Sequence, residues 1–168
     1  MRRSAAGFLE ILLITSLLLL FGVTTYTLVS AGGRAYGRVM DKREDSVSLR
    51  VALSYLTTQL RQNDTDGAVL LREESCGECL VLRRRYDGET YETRIYLDDG
   101  RLWESFTPAD MPFDPAAGDE ITPLTGLSFR LIGPDRPALV LTVTAGEGDG
   151  AQTRQTVVTL NAPAGEQP

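Results

Sequence analysis

The spacing of hydrophobic positions changes along the chain, and each change predicts a different element. From Ile11 to Ala31 no residue is charged, and Leu, Ile, Val and Phe dominate the first half. As helix, these 21 positions rise about 1.5 Å each and reach across a hydrocarbon layer of about 30 Å. A soluble core helix would carry a polar face, whereas this stretch holds only scattered Thr and Ser. The run predicts one transmembrane helix.

Beyond Gly32-Gly33, a pair that would kink or loosen a helix, the period becomes amphipathic. Val39, Arg43, Val47 and Val51 fall on one line, and Leu49, Leu53, Leu56 and Leu60 on another. Together they predict an apolar stripe with Arg50, Ser54, Thr57 and Arg61 outside it. The helix should end near Gln62-Asn63-Asp64, where Asp66-Gly67 supplies stop and turn chemistry. Its stripe has to pack on something, and the remainder of the chain offers only strands.

Those strands read from alternation and turn residues. Ala68–Arg72 is a short apolar run. Leu80–Tyr86 precedes Asp87-Gly88, a hairpin signal. Thr90–Leu97 follows with Tyr91, Thr93, Ile95 and Leu97 facing one way, then Asp99-Gly100 turns into Arg101–Phe106. Thr107–Asp119 carries Pro108, Pro112 and Pro115 and reads as a connecting loop. Gly126–Ile132, Ala138–Thr144 and Thr153–Leu160 are further strands, separated by Gly133-Pro134-Asp135 and by the Gly-rich Gly146–Gly150. The fold class expected is α+β: a long N-terminal helix, transmembrane then amphipathic, packed on an antiparallel β-sheet of about six strands. In segments this gives a basic leader-like head over 1–7, a transmembrane helix over 8–31, an amphipathic helix over 32–64, a β domain over 65–161 and a disordered tail over 162–168.

Charge sets the direction of the anchor less firmly than length sets its existence. Arg2 and Arg3 precede the apolar run, and Arg34, Arg38, Lys42 and Arg43 follow it. Counting basic residues alone favours a cytoplasmic C-terminal side. The short basic head has the form of an export signal, and on that ground the N-terminus is placed inside and the C-terminal domain outside the cell membrane. Val29-Ser30-Ala31 has small residues where a signal peptidase would cut; the apolar run is longer than an export signal needs, which argues for retention.

Composition narrows the function. The formal net charge is −6, so the chain as a whole gains nothing from nucleic acid. There is no histidine, which removes the commonest acid–base catalyst and metal ligand. Cys76-Gly-Glu-Cys79 lacks the further ligands that zinc needs, and it lies between strands rather than opening a helix. In an oxidising compartment it would close a small disulfide. Gln62–Glu73 imitates a calcium loop through Asp64, Asp66, Gly67 and Glu73, but begins with Gln and runs into a strand. Arg83-Arg84-Arg85 on a strand points to alternating faces and reads as solvated edge charge. Asp98-Asp99-Gly100 reads as a turn. No nucleophile elbow, phosphate loop or paired-carboxylate motif is present. The expectation is a protein without catalytic activity, without a cofactor, metal or small-molecule substrate.

Glu10 stands at the mouth of the apolar run, and with its neighbours it carries a resemblance. A short basic leader, then Gly7-Phe8, then an acid within a long apolar helix, an amphipathic helix and an antiparallel sheet: this order resembles type IV pilins and pseudopilins. In that family a membrane peptidase cuts after the glycine and methylates the new N-terminal residue. The resemblance implies Gly7 before the cut, Phe8 as the new N-terminus and Glu10 as the assembly carboxylate. The family's glutamate is fifth in the mature chain, whereas Glu10 would be third. A further resemblance covers about Leu49 to Leu160. Arg50–Asp64, Asp87-Gly88, the Tyr91–Leu97 strand and Asp99–Glu104 look like a domain of unknown function found in pilin-like proteins of Gram-positive anaerobes.

The resemblance implies a membrane-anchored structural subunit of a pilus or type II-like secretion assembly, with the lipid bilayer and other pilin-like subunits as partners. The alternative is a single-pass anchored binding module, outside the cytoplasm, with no filament role.

Overall fold

The structure is a computed structural model that describes residues 2–133 and 137–161; for 2–6, 34–39, 41 and 149 it describes the backbone alone. The expected disordered tail over 162–168 and most of the Gly133-Pro134-Asp135 turn lie outside the described residues. Helix α1 spans Arg2–Gln62 and is assigned helical across Gly32-Gly33. Eight strands follow: β1 (Val69–Glu74), β2 (Gly77–Tyr86), β3 (Glu89–Asp98), β4 (Arg101–Pro108), β5 (Asp119–Pro123), β6 (Gly126–Ile132), β7 (Ala138–Ala145) and β8 (Gln152–Thr159). The chain divides into two units, Met1–Asp41 and Lys42–Pro168.

In the first unit, Gly7–Gly33 is an apolar helical stretch of 27 residues with a mean hydropathy of 2.2 and nothing buried against the rest of the protein. Length and composition suit a membrane span. Four of its scattered hydroxyls are turned back onto their own helix. Thr15 Oγ1 donates to the Ile11 carbonyl at 2.9 Å and Thr24 Oγ1 to Leu20 at 3.0 Å. Ser16 and Thr27 do the same to Leu13 and Thr24. Polar groups satisfied in this way cost little in an apolar surrounding.

The second unit is the α+β domain. The helical face Leu49, Ala52, Leu56 and Leu60 is fully buried and packs in one core cluster with Val69, Leu80, Leu82, Ile95 and Leu102 and with Phe129, Leu139, Leu141, Val143 and Val158. Steps of three and four keep those helical residues on one side. Val47 and Val51, expected in the same stripe, are exposed. Each stands two residues from Leu49, about 200° around the helix, so it points away from the face that Leu49 buries.

The antiparallel strands form two sheets rather than one, of order β1-β2-β3-β4-β5 and β6-β7-β8. The hairpin turns come where sequence places them. Asp87-Gly88 and Asp99-Gly100 all take positive φ, the conformation a two-residue hairpin of matching twist requires. The reading of Thr107–Asp119 as a connection needs trimming, because β4 runs to Pro108 and β5 starts at Asp119. Strand β5 has little sequence signature, because it is five residues long, ends in proline and alternates weakly. It joins β4 through a register shift at Leu102/Trp103.

Candidate functional site

The five-stranded sheet has two faces of different chemistry. Alternation sends Leu80, Leu82, Ile95 and Leu102 toward the helix. The opposite face carries a smaller cluster of Leu70, Cys79, Val81 and Tyr96, with Cys76, Trp103 and Phe113 against it. The segment after β4 crosses this outer face. Tyr96 donates to the Pro115 carbonyl at 2.8 Å, and its ring meets Phe113 edge-on at 4.9 Å.

Beside that cluster, the outer face holds the most densely bonded charges among the described residues. Cross-strand register aligns Leu70, Val81, Arg94 and Ser105 in one row and Arg83, Glu92 and Thr107 in the next. Glu92 is fully buried, and three guanidiniums converge on it. Arg72 donates through Nη1 and Nη2 to its two oxygens, each at 2.8 Å. Arg83 Nε adds a bond at 2.9 Å and Arg94 Nη2 one at 2.7 Å. Arg94 also donates to Thr107 Oγ1 and lies 5.8 Å from the Phe113 ring centre. Burial alone would raise the Glu92 carboxyl, but hydrogen bonds from Arg72, Arg83 and Arg94 carry it below its ordinary value. A carboxylate so held stays ionised and is unsuited to general acid work. Its bonds join β1, β2 and β3, so we assign it a structural role.

This cluster corrects the reading of Arg83-Arg84-Arg85. Strand β2 is internal, flanked by β1 and β3, and not an edge. Arg83 turns outward onto Glu92. Arg84 turns to the helix face, where Nη1 donates to the Tyr86 hydroxyl and Nη2 reaches the Gln62 carbonyl. Arg85 Nε contacts the Gly88 carbonyl at 3.4 Å. The sequence did hold a signal for the cluster. The strand face opposite Tyr91, Thr93 and Ile95 carries Glu92 and Arg94, opposite charges on one face beside Arg83.

The cysteines lie on the same outer face. Both are free thiols, so the expected disulfide is not formed in this structure. Cys79 is on β2 rather than in the turn, is fully buried, and makes a weak contact from Sγ to the Leu80 carbonyl at 3.8 Å. Burial pushes its thiol up to about 12, and burial also raises Cys76. Protonated thiols are poor nucleophiles and poor metal ligands.

The remaining sequence candidates are dispersed. Phe8 and Glu10 are exposed on the helix of the first unit, and Glu10 forms no ion pair among the described residues. Gly7 opens the apolar stretch. The calcium-like segment is otherwise employed. Asp64 accepts from the backbone N–H and side-chain amide of Asn161, at 2.8 and 2.7 Å. Among the described residues no three His, Cys, Asp or Glu side chains converge as metal ligands would.

Two further contacts tie the elements of the second unit together. Gln152 at the start of β8 accepts from the Ser46 hydroxyl and donates to the Lys42 carbonyl. Glu78 accepts the Phe129 N–H at 2.9 Å and so links β2 to β6 across the two sheets.

Comparison with known proteins gives no match among curated proteins and none among solved structures. A family match covers residues 47–146, from the buried face of α1 through the end of β7, which is more than half of the chain. The chain therefore belongs to the family described as a domain of unknown function, DUF4860.

Proposed function

We propose that the protein is a membrane-anchored, pilin- or pseudopilin-like structural subunit of a pilus or a type II-like secretion assembly, with no catalytic activity. The N-terminus lies in the cytoplasm and the β domain outside the cell membrane. One observation carries the reading: the helix bearing the exposed apolar stretch Gly7–Gly33 has a C-terminal part that supplies the core of the β domain. A subunit of this construction is stored in lipid and assembles when helix–helix contacts replace lipid contacts. Gly7-Phe8 supports leader cleavage with Phe8 as the new N-terminus, and Glu10 is the carboxylate offered to a neighbouring subunit's amine.

The test is mass spectrometry of the protein from its native membrane, joined to crosslinking through cysteines placed along 11–31. The expected result is a chain starting at methylated Phe8 and crosslinks to pilin-like neighbours. An intact N-terminus together with no such neighbour would overturn the proposal and leave a single-pass anchored binding module outside the cytoplasm.

A further inference from the structure

Strand alternation sends Arg83 and Arg85 to the same outer face of β2, with Cα atoms about 6.8 Å apart along the strand. Arg83 is pinned at one edge of its guanidinium, where Nε donates at 2.9 Å to the fully buried Glu92. Its Nη1 and Nη2 make no hydrogen bond among the described residues, and its side chain is 41% exposed. Arg85 is exposed and touches the Gly88 carbonyl through Nε alone. Thr90, its exposed cross-strand partner, stands beside it.

The charges around these two side chains do not balance. Arg72, Arg83 and Arg94 are all bonded to Glu92, so three guanidiniums share one carboxylate and two positive charges are left over. Arg85 adds a third, because it forms no ion pair among the described residues. Glu89 stands opposite Tyr86 on the helix-side face and accepts the Tyr91 hydroxyl there. A positive surplus of this size is a local exception in a chain whose net charge is −6. It attracts an anion to the outer face.

We propose that Arg83 and Arg85 bind a terminal phosphate group. The Nη1 and Nη2 fork of Arg83 donates to two phosphate oxygens, and Arg85 with the Thr90 hydroxyl donates to the third. The bond to Glu92 orients the fork in advance, so less side-chain entropy is lost on binding. A carboxylate brings one charge and two oxygens, which a single fork satisfies, leaving Arg85 unused. A phosphomonoester brings nearly two charges and three acceptor oxygens, the match to two guanidiniums and a hydroxyl. The site is independent of the assembly reading, because it is tested on purified protein without a filament.

The experiment is calorimetric titration of the full chain in uncharged detergent micelles at pH 7.5 and low salt. The probes are inorganic phosphate and glucose 6-phosphate, with acetate and glucose as the comparisons. We expect both phosphates to bind, acetate to bind at least about tenfold more weakly and glucose not to bind. Arg85→Gln should weaken phosphate binding about five- to tenfold, the effect of losing one charge-assisted contact. Arg83→Lys keeps the charge but loses the fork, and should weaken it to a similar degree. Arg154→Gln removes an exposed arginine of β8 and should leave binding unchanged. Arg85 lies outside the buried core, and an unchanged thermal midpoint confirms that its variant folds. Phosphatidic acid added to the micelles identifies the source of the group: displacement of glucose 6-phosphate points to a lipid headgroup, and its persistence to a soluble ester. Failure of both phosphates to bind overturns the proposal. So does acetate binding as tight as that of phosphate, or phosphate binding that neither Arg85→Gln nor Arg83→Lys changes. An equal loss in Arg154→Gln overturns it in favour of general attraction to scattered surface charge.

Discussion

Arg72 holds Glu92 with two parallel bonds of 2.8 Å, and the carboxylate it holds is fully buried. The fork matches the carboxylate plane and fixes β1 to β3 across the intervening strand β2. The desolvation of such an ion is recovered only while its partners stay in place. Glu92→Ala leaves Arg94, itself nearly fully buried, without its counter-charge. The expected loss is about 3–5 kcal/mol, as for breaking a buried pair from one side. Urea unfolding of the variant measures it. Arg83→Ala removes one bond of four from an exposed donor and should cost about 1 kcal/mol.

The same pair sets an acid limit on the fold. The Glu92 carboxyl lies below its ordinary value in the folded state, so the unfolded chain takes up its proton first as pH falls. Its contribution is fully present above the unfolded value, near 4.3, and is lost as pH drops through the lower folded value. Thermal midpoints measured from pH 7 down to pH 3 should fall fastest in that window. Glu92→Gln should start from a lower midpoint at pH 7 and show a shallower acid slope.

Much of this fold is legible in sequence, and the exceptions have physical reasons. The apolar run from Ile11 to Ala31, the helix end at Gln62 and the two Asp-Gly turns are local signals, fixed by hydropathy and φ preference. The separation into two sheets depends on which strand edges meet, and no local pattern encodes that. The Glu92 cluster is only partly legible in sequence, for a related reason. Arg72, Arg83 and Arg94 are unremarkable singly, and only the register of β1, β2 and β3 brings them to one carboxylate. The arginines Arg83-Arg84-Arg85 give β2 the look of an edge, and only its pairing with β1 makes it internal.

Gly118 is a position where the lack of a side chain is required. A Cβ there would fall 2.3 Å from the Tyr96 hydroxyl and 3.1 Å from the Glu104 carbonyl. Tyr96 is fully buried and bonded to Pro115, so it has little room to withdraw. Gly118→Ala should destabilise the domain by about 1–3 kcal/mol, the usual cost of overpacking. Thermal unfolding checks this. A Tyr96→Phe background removes the clashing oxygen, and the penalty of Gly118→Ala should shrink in it.

The two thiols should behave differently toward alkylating reagents. Reaction needs a thiolate and a route for the reagent, and burial denies Cys79 both. Cys76 is half-buried in the β1–β2 turn and less strongly shifted. Iodoacetamide at pH 8 should label Cys76 slowly and leave Cys79 unmodified until the protein is unfolded. Peptide mass spectrometry distinguishes the two. Equal labelling in the folded state would contradict the burial described for β2.

Strand β8 is held to α1 at its start and to the turn that follows α1 at its end, and the two ends should contribute separately. Near its start Gln152 meets Ser46 and the Lys42 carbonyl, and just past its end Asn161 donates twice to Asp64. Between them only Val158 and its neighbour Leu160 are well buried, so much of the strand depends on backbone pairing with β7. Asn161→Ala keeps the backbone bond to Asp64 and removes the side-chain bond, which should cost about 1–2 kcal/mol because the acceptor is charged. The loss should be local. Amide exchange near Val158 should quicken while that of β2 and β3 stays unchanged, since the edge of the smaller sheet opens without the larger one. Uniformly faster exchange in both sheets would mean that the domain opens as one unit and that the Asp64–Asn161 contact supports all of it.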